Sequence, residues 1–336
     1  MSPCEVAQLG ELRRLSNGLQ GISTTVSLDR RKAMHGTMHS GAKWAGAVLV
    51  VAVFCAVAPL VYVHVASEAL IERRFPLPAV EEPPAKTAKM GRGEHLAAVA
   101  GCLDCHGPDL EGRRATLGPL HLWSSNLRIA AHKMTTAEFQ RALCRGVAPD
   151  ATTLWGMPSE DYMYMSEQDV AAIYASLQSF ASAGVVRPKP GWSIHARLAV
   201  LQGQIVPSVI ATRDSPSSLD LGPRYDGGRY LARIACSACH GTDLGGTPGV
   251  PDLTRVGTYD RASFFDLLRR GWGAHGRRLP AMYRLAQTRF HLFADYEIMA
   301  LFDYLSARAH APVTLFARAR ANELRRRETV TLEDED

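Results

Sequence analysis

The chain has 336 residues, 46% hydrophobic and 21% charged, with 38 Lys and Arg against 33 Asp and Glu, a net +5. That composition excludes a disordered tail and a wholly membrane-buried protein, and the length suggests about two domains. Six basic and three acidic residues stand before residue 67, so the remainder is near neutral and offers no basic footprint for nucleic acid.

From Trp44 to Ser67 there is no charged residue. These twenty-four positions exceed the ~20 that cross a bilayer core, which predicts one spanning helix, with Pro59 tolerated inside it. Trp44 and Tyr62 lie towards opposite ends, where amphipathic rings favour the interface. A cleaved signal peptide has a shorter apolar core, roughly 7–15 residues, so a retained anchor is expected. Arg30, Arg31, Lys32 and Lys43 precede the span and only Arg73 and Arg74 closely follow it. This asymmetry predicts a cytoplasmic segment over 1–43, an anchor over 44–67 and a body beyond the cytoplasmic face. A spacer over 68–92 follows, stiffened by Pro76, Pro78, Pro83 and Pro84.

The seven cysteines include two identical patterns, Cys102-Leu-Asp-Cys105-His106 and Cys236-Ser-Ala-Cys239-His240. C-x-x-C-H is the attachment sequence for c-type haem. Two thiols one helical turn apart can each add across a haem vinyl group, and the adjacent His then presents an imidazole nitrogen to iron. Three other readings are a thioredoxin-like redox pair, a four-Cys zinc site and a disulfide within each motif. The first lacks a βαβ context, and the second normally spaces its Cys pairs ~15–20 residues apart, whereas Cys105 and Cys239 are 134 apart. Two covalently attached haem c groups are therefore expected. Cys4 and Cys55 suggest no chemistry, and Cys144 reads as a buried free thiol on a helix.

The motifs sit inside a repeat. Gly93-Glu-His-Leu-Ala-Ala-Val-Ala-Gly-Cys102 parallels Gly228-Arg-Tyr-Leu-Ala-Arg-Ile-Ala-Cys236 with one residue of slippage. A second helix is predicted over 135–146 and 259–271, and a third over 166–177 and 294–305. Each copy reads as a small helical domain, the first over 93–180 and the second over 228–312. A connector (181–227) lies between them and a charged tail (313–336) follows. The fold class is mostly α, one transmembrane helix followed by two cytochrome c-like small helical domains.

A sixth ligand should come from between the second and third helices. Met157 and Met282 occupy equivalent places there, 51 and 42 residues after their histidines. A thioether is a soft ligand that raises haem potential relative to a second His. Met163 and Met165 are next for the first site. His121 or His132, and His275 or His291, would give His/His ligation.

With these residues in view, the chain resembles tandem class I cytochrome c domains, and is most similar to membrane-anchored dihaem c-type cytochromes, including cytochrome subunits of bacterial membrane-bound dehydrogenases. The resemblance covers about 88–312. It implies that the haem-binding set is Cys102, Cys105, His106, Met157, Cys236, Cys239, His240 and Met282, with iron held by His106, Met157, His240 and Met282. It also implies that each proximal His donates to a backbone carbonyl in a Pro-Asn/Asp-Leu turn. Pro251-Asp252-Leu253 matches, whereas the first copy has Ser125-Asn126-Leu127. The third-helix aromatic of the family matches Tyr304, but its counterpart is Ser176.

The expected function is single-electron transfer between a quinol-linked or dehydrogenase donor and an acceptor such as a terminal oxidase, with no catalysis of its own. The chain would sit in the bacterial inner membrane with its haem domains in the periplasm, alone or as a subunit of a dehydrogenase or oxidase complex. The alternative is a dihaem peroxidase, which needs one haem with an open or displaceable sixth position.

Overall fold

A computed structural model describes residues 30–77, 90–312 and 315–316, with backbone alone for 30–43, 90 and 275. The chain divides into two compact units, 1–59 and 60–336.

Helix α1 (Arg30–Ile71) begins well before the apolar stretch. Its portion Trp44–Ile71 is long and apolar enough to cross a membrane, with mean hydropathy 2.6. The helix runs past the expected end at Ser67, because Glu68 to Ile71 continue its turns without a breaker. Of the expected spacer, residues 78–89 lie outside the described residues, as do 1–29 and most of the tail. Before that gap the chain is held to the body, the Phe75 amide donating to the Ala151 carbonyl at 2.8 Å.

The first copy of the repeat contains α2 (Met90–Val99), α3 (Cys102–His106), strands β1 (Arg114–Leu117) and β2 (Leu120–Trp123), α4 (Leu127–Lys133), α5 (Thr136–Arg145), α6 (Ser159–Tyr162) and α7 (Glu167–Ser179). Helices α8 (Ile194–Leu201) and α9 (Ser208–Arg213) form the connector. The second copy contains α10 (Asp226–His240), α11 (Arg261–Arg270), α12 (Pro280–Thr288) and α13 (Asp295–Ala309).

Local chemistry explains the paired helices. Thr135 caps α5 in a reciprocal box with Glu138, and Asp260 caps α11 at the Ser263 amide. Each helix ends at a left-handed glycine, Gly146 (φ 69°) and Gly271 (φ 73°), which satisfies the last carbonyls without a Cβ clash.

In each copy the first and last helices cross closely. A Cβ on Gly93 would lie 2.0 Å from the Ala172 carbonyl oxygen, and one on Gly228 would lie 2.0 Å from that of Ala300. The two glycines hold corresponding places in the repeat, so both crossings depend on the missing side chain. Tyr304 is fully buried at the second crossing and donates to the Leu219 carbonyl at 2.9 Å, while its counterpart Ser176 is buried and small.

Leu96, Val99, Val170 and Ile173 of the first copy belong to the same apolar core as Leu231, Ile234, Ile298 and Leu301 of the second. A smaller core joins Leu120 of β2 to Ala196, Ala199, Val200 and Ile205, roofed by the edge-to-face pair Trp155–Trp192 with centroids 4.9 Å apart. The connector thus folds back on the first copy, and its end reaches the second, Ser215 donating to the Thr242 hydroxyl at 2.7 Å.

Candidate functional site

The second C-x-x-C-H motif forms the last turn of α10, which stops at Gly241 (φ 78°). His240 Nδ1 lies 2.8 Å from the Pro251 carbonyl oxygen. A carbonyl only accepts, so Nδ1 carries the proton and Nε2 keeps its lone pair for a metal. Burial lowers the His240 pKa against the opposing pull of Pro251 and Asp252, which favours this neutral form.

The turn that supplies the carbonyl is itself fixed. Asp252 accepts from the Thr254 amide at 2.7 Å and from Arg308 Nη1 at 2.8 Å. Arg308 is 2% exposed and also donates from Nη2 to the Asp243 carbonyl at 3.1 Å. One buried guanidinium therefore ties both ends of the loop around His240.

A cavity of about 640 Å³ opens beside this motif. Cys236, Cys239 and His240 line it together with Met282, from the first turn of α12, and Phe264 and Leu301 are among its apolar walls. The volume falls within the range of roughly 300–1,000 Å³ typical of cofactor pockets. Two thiols, a neutral imidazole and a thioether around one apolar cavity fit a covalently attached haem.

The first motif is built differently and reaches the same histidine bond. The extra residue before Cys102 breaks the helix: α2 stops at Val99, Gly101 turns left-handed at φ 85°, and Cys102–His106 forms the separate short helix α3. His106 Nδ1 lies 2.8 Å from the Ser125 carbonyl oxygen, the counterpart of Pro251. Asn126 then replaces Asp252, capping α4 through the Ile129 amide at 3.2 Å and donating to the Ala183 carbonyl at 2.8 Å. Burial likewise lowers the His106 pKa, with the Ser125 carbonyl opposing.

Two further bonds repeat. The Gly112 amide donates to the His106 carbonyl and the Gly246 amide to that of His240, both at 2.8 Å. The carbonyl of the second Cys accepts a hydroxyl in each copy, from Ser124 to Cys105 at 2.6 Å and from Thr247 to Cys239 at 2.8 Å.

Met157 is half-buried against the main core, next to the capping turn of α6, and its carbonyl accepts from Ser208 Oγ at 2.7 Å. Met165 is a buried core residue, and Met299 is exposed on α13. His121 Nδ1 is 3.2 Å from Thr116 Oγ1 across the hairpin, and His132 Nε2 is 2.9 Å from the Phe180 carbonyl. His291 Nδ1 meets the Ala286 carbonyl at 3.0 Å. The His275 side chain lies outside the described residues. Cys144 is buried on α5, and burial pushes its thiol up to about 12. Among the described residues, no three His, Cys, Asp or Glu side chains come together as a set for a metal ion.

Sequence reasoning missed Arg289. Its guanidinium donates to the carbonyl of Ala235, immediately before Cys236, at 2.6 Å, and lies 3.4 Å from Asp104, inside the first motif.

Against this geometry, two curated proteins are similar to the chain. The gluconate 2-dehydrogenase cytochrome c subunit of Pantoea cypripedii is 29% identical over 230 residues, covering 62% of this chain and 51% of that protein. The cytochrome c subunit of the alcohol dehydrogenase (quinone) of Gluconobacter oxydans is 25% identical over 173 residues, covering 46% and 36%. The chain is similar to cytochrome c subunits of dehydrogenases. It spans about half the length of the first relative and about a third of the second. No family model matches the sequence.

Proposed function

We propose that the chain is a membrane-anchored dihaem c-type cytochrome that carries single electrons and catalyses no reaction of its own. The observation that supports this reading is the duplicated ligand geometry. Each of two C-x-x-C-H motifs holds its imidazole by an Nδ1 bond to a backbone carbonyl, at 2.8 Å in both. A haem c bound at each motif would supply a one-electron iron couple. Around it, Cys102, Cys105, Cys236 and Cys239 would anchor the ring, and His106 and His240 would face iron through Nε2.

Met157 and Met282 are the residues proposed to complete the two ligand sets. A filled sixth position leaves no place for a substrate, which separates a carrier from a peroxidase. Held by those cysteines and histidines, a bound haem would rearrange little between oxidation states. The proposed partition is one haem domain over 93–180 and a second over 228–312.

The proposed setting is the bacterial inner membrane, with α1 as a single-pass anchor and the haem domains in the periplasm. The redox partners would be a quinol-linked or dehydrogenase donor and an acceptor such as a terminal oxidase. The names of the relatives favour a dehydrogenase complex containing this chain as its electron-transfer subunit.

The test is protein matured in a host competent for cytochrome c assembly. Mass spectrometry should show two added haem groups, and the oxidised protein should show sulfur-to-iron charge transfer that weakens in both M157A and M282A. A mass increment other than two haems, or steady peroxide turnover at enzyme-like rates, would refute the reading.

A further inference from the structure

Arg289 follows α12 and is not one of the predicted ligands. Its side chain is only 8% exposed, and it contacts both attachment motifs. On one side, Nη2 donates to the Ala235 carbonyl at 2.6 Å, directly before Cys236. On the other, Nη1 lies 3.4 Å from Oδ2 of Asp104, between Cys102 and Cys105. A Cβ on Gly101, directly before Cys102, would fall 2.1 Å from the same Nη1, so the first motif leaves room for this cation. Arg289 also lines the cavity beside the second motif, and its buried Nε has no hydrogen-bond partner among the described residues. A buried cation without a full set of partners is costly, so its place between the motifs calls for a role.

We propose that Arg289 is a single buried cation shared by the two haem sites, raising the reduction potential of both. This inference rests on the dihaem reading above. Reduction adds one electron to a centre, so a fixed positive charge nearby in a low-dielectric interior favours the reduced form. Asp104, half exposed beside the guanidinium, partly offsets that charge.

The experiment is a spectrally resolved potentiometric titration of the full chain and its variants, each potential assigned to its motif from the shifts in M157A and M282A. Mass spectrometry of the wild type first counts the haems, and a count other than two defeats the dihaem reading instead of this one. With two haems present, R289Q should weaken reduction at both centres about tenfold, which is 59 mV for one electron. R289K should keep both within about threefold. A shift at one centre only, or at neither, overturns the proposal.

If R289Q does not mature, D104N decides. Asp104 belongs to the first motif, yet freeing the shared cation should raise the potential at the second centre as well. A rise confined to the first centre, or none, overturns the proposal.

Discussion

The hydroxyl of Tyr230 donates to Asp169 Oδ2 at 2.6 Å, and their counterparts in the repeat, His95 and Glu297, meet at 2.9 Å. First helix of one copy to last helix of the other, the contact is made twice in opposite senses. That reciprocity is the mark of a two-fold interface, here between two parts of one chain. The Asp169 side chain is only 5% exposed, so Y230F should cost about 1.5–3 kcal/mol, the range for a hydrogen bond to a charged group. Chemical denaturation of Y230F, D169N and the double variant should show strong non-additivity.

Two buried aspartates predict opposite pH dependences. Asp169 is lowered: burial pushes it up, but Arg92, Tyr230 and Ser166 outweigh that. Its contribution is therefore present above the ordinary carboxylate value and lost as pH falls through the lowered one, and D169N should remove that acid limb. Asp161 is raised to about 8 by burial and by Glu160, against Arg289. The folded form holds a proton that the unfolded chain releases near 3.8, so stability falls as pH rises towards 8. D161N should give a melting-temperature gain that grows from pH 4 to pH 8 and then levels off.

The helix crossings predict a contrast among glycines. G93A and G228A would each drive a Cβ into a backbone carbonyl, separating the paired helices, and each should cost at least 2 kcal/mol, on the order of other severe core disruptions. At Gly227, one residue earlier on α10, an added Cβ would meet nothing within 4 Å among the described residues, so G227A should be neutral or stabilise by up to about 1 kcal/mol. Equal effects at 227 and 228 in thermal melts would contradict the close-crossing account.

The loop beneath His240 yields a further test. D252A removes both the cap at Thr254 and the partner of a buried guanidinium, and should cost about 3–5 kcal/mol. D252N keeps an acceptor for the cap and should cost less. In the first copy, S125A should leave the bond to His106 intact because a backbone carbonyl makes it, whereas N126A should lose about 1 kcal/mol of helix capping. The spectra of matured S125A and N126A protein check whether the imidazole moves.

Much of this was legible in the sequence, and the limits have physical causes. The motifs and the capped helices announce themselves because spacing and cap residues are local. Ser125 was harder, since a carbonyl can come from any residue. The clue is its place directly before Asn126, as Pro251 stands before Asp252. The hairpin at 114–123 escaped notice because its strands have only four residues each, too short for alternation to register. Arg289, the reciprocal pairs and the core shared by the two copies were invisible, because they depend on how distant segments meet.

The continuous core has a consequence for biogenesis. Cys102, Leu103 and Cys236 pack against that core, so under the proposed dihaem reading a chain loaded at one motif alone would leave part of the shared packing unfilled. Maturation should then behave as one cooperative event, and half-loaded molecules should be scarce among correctly assembled protein and abundant among what the cell degrades.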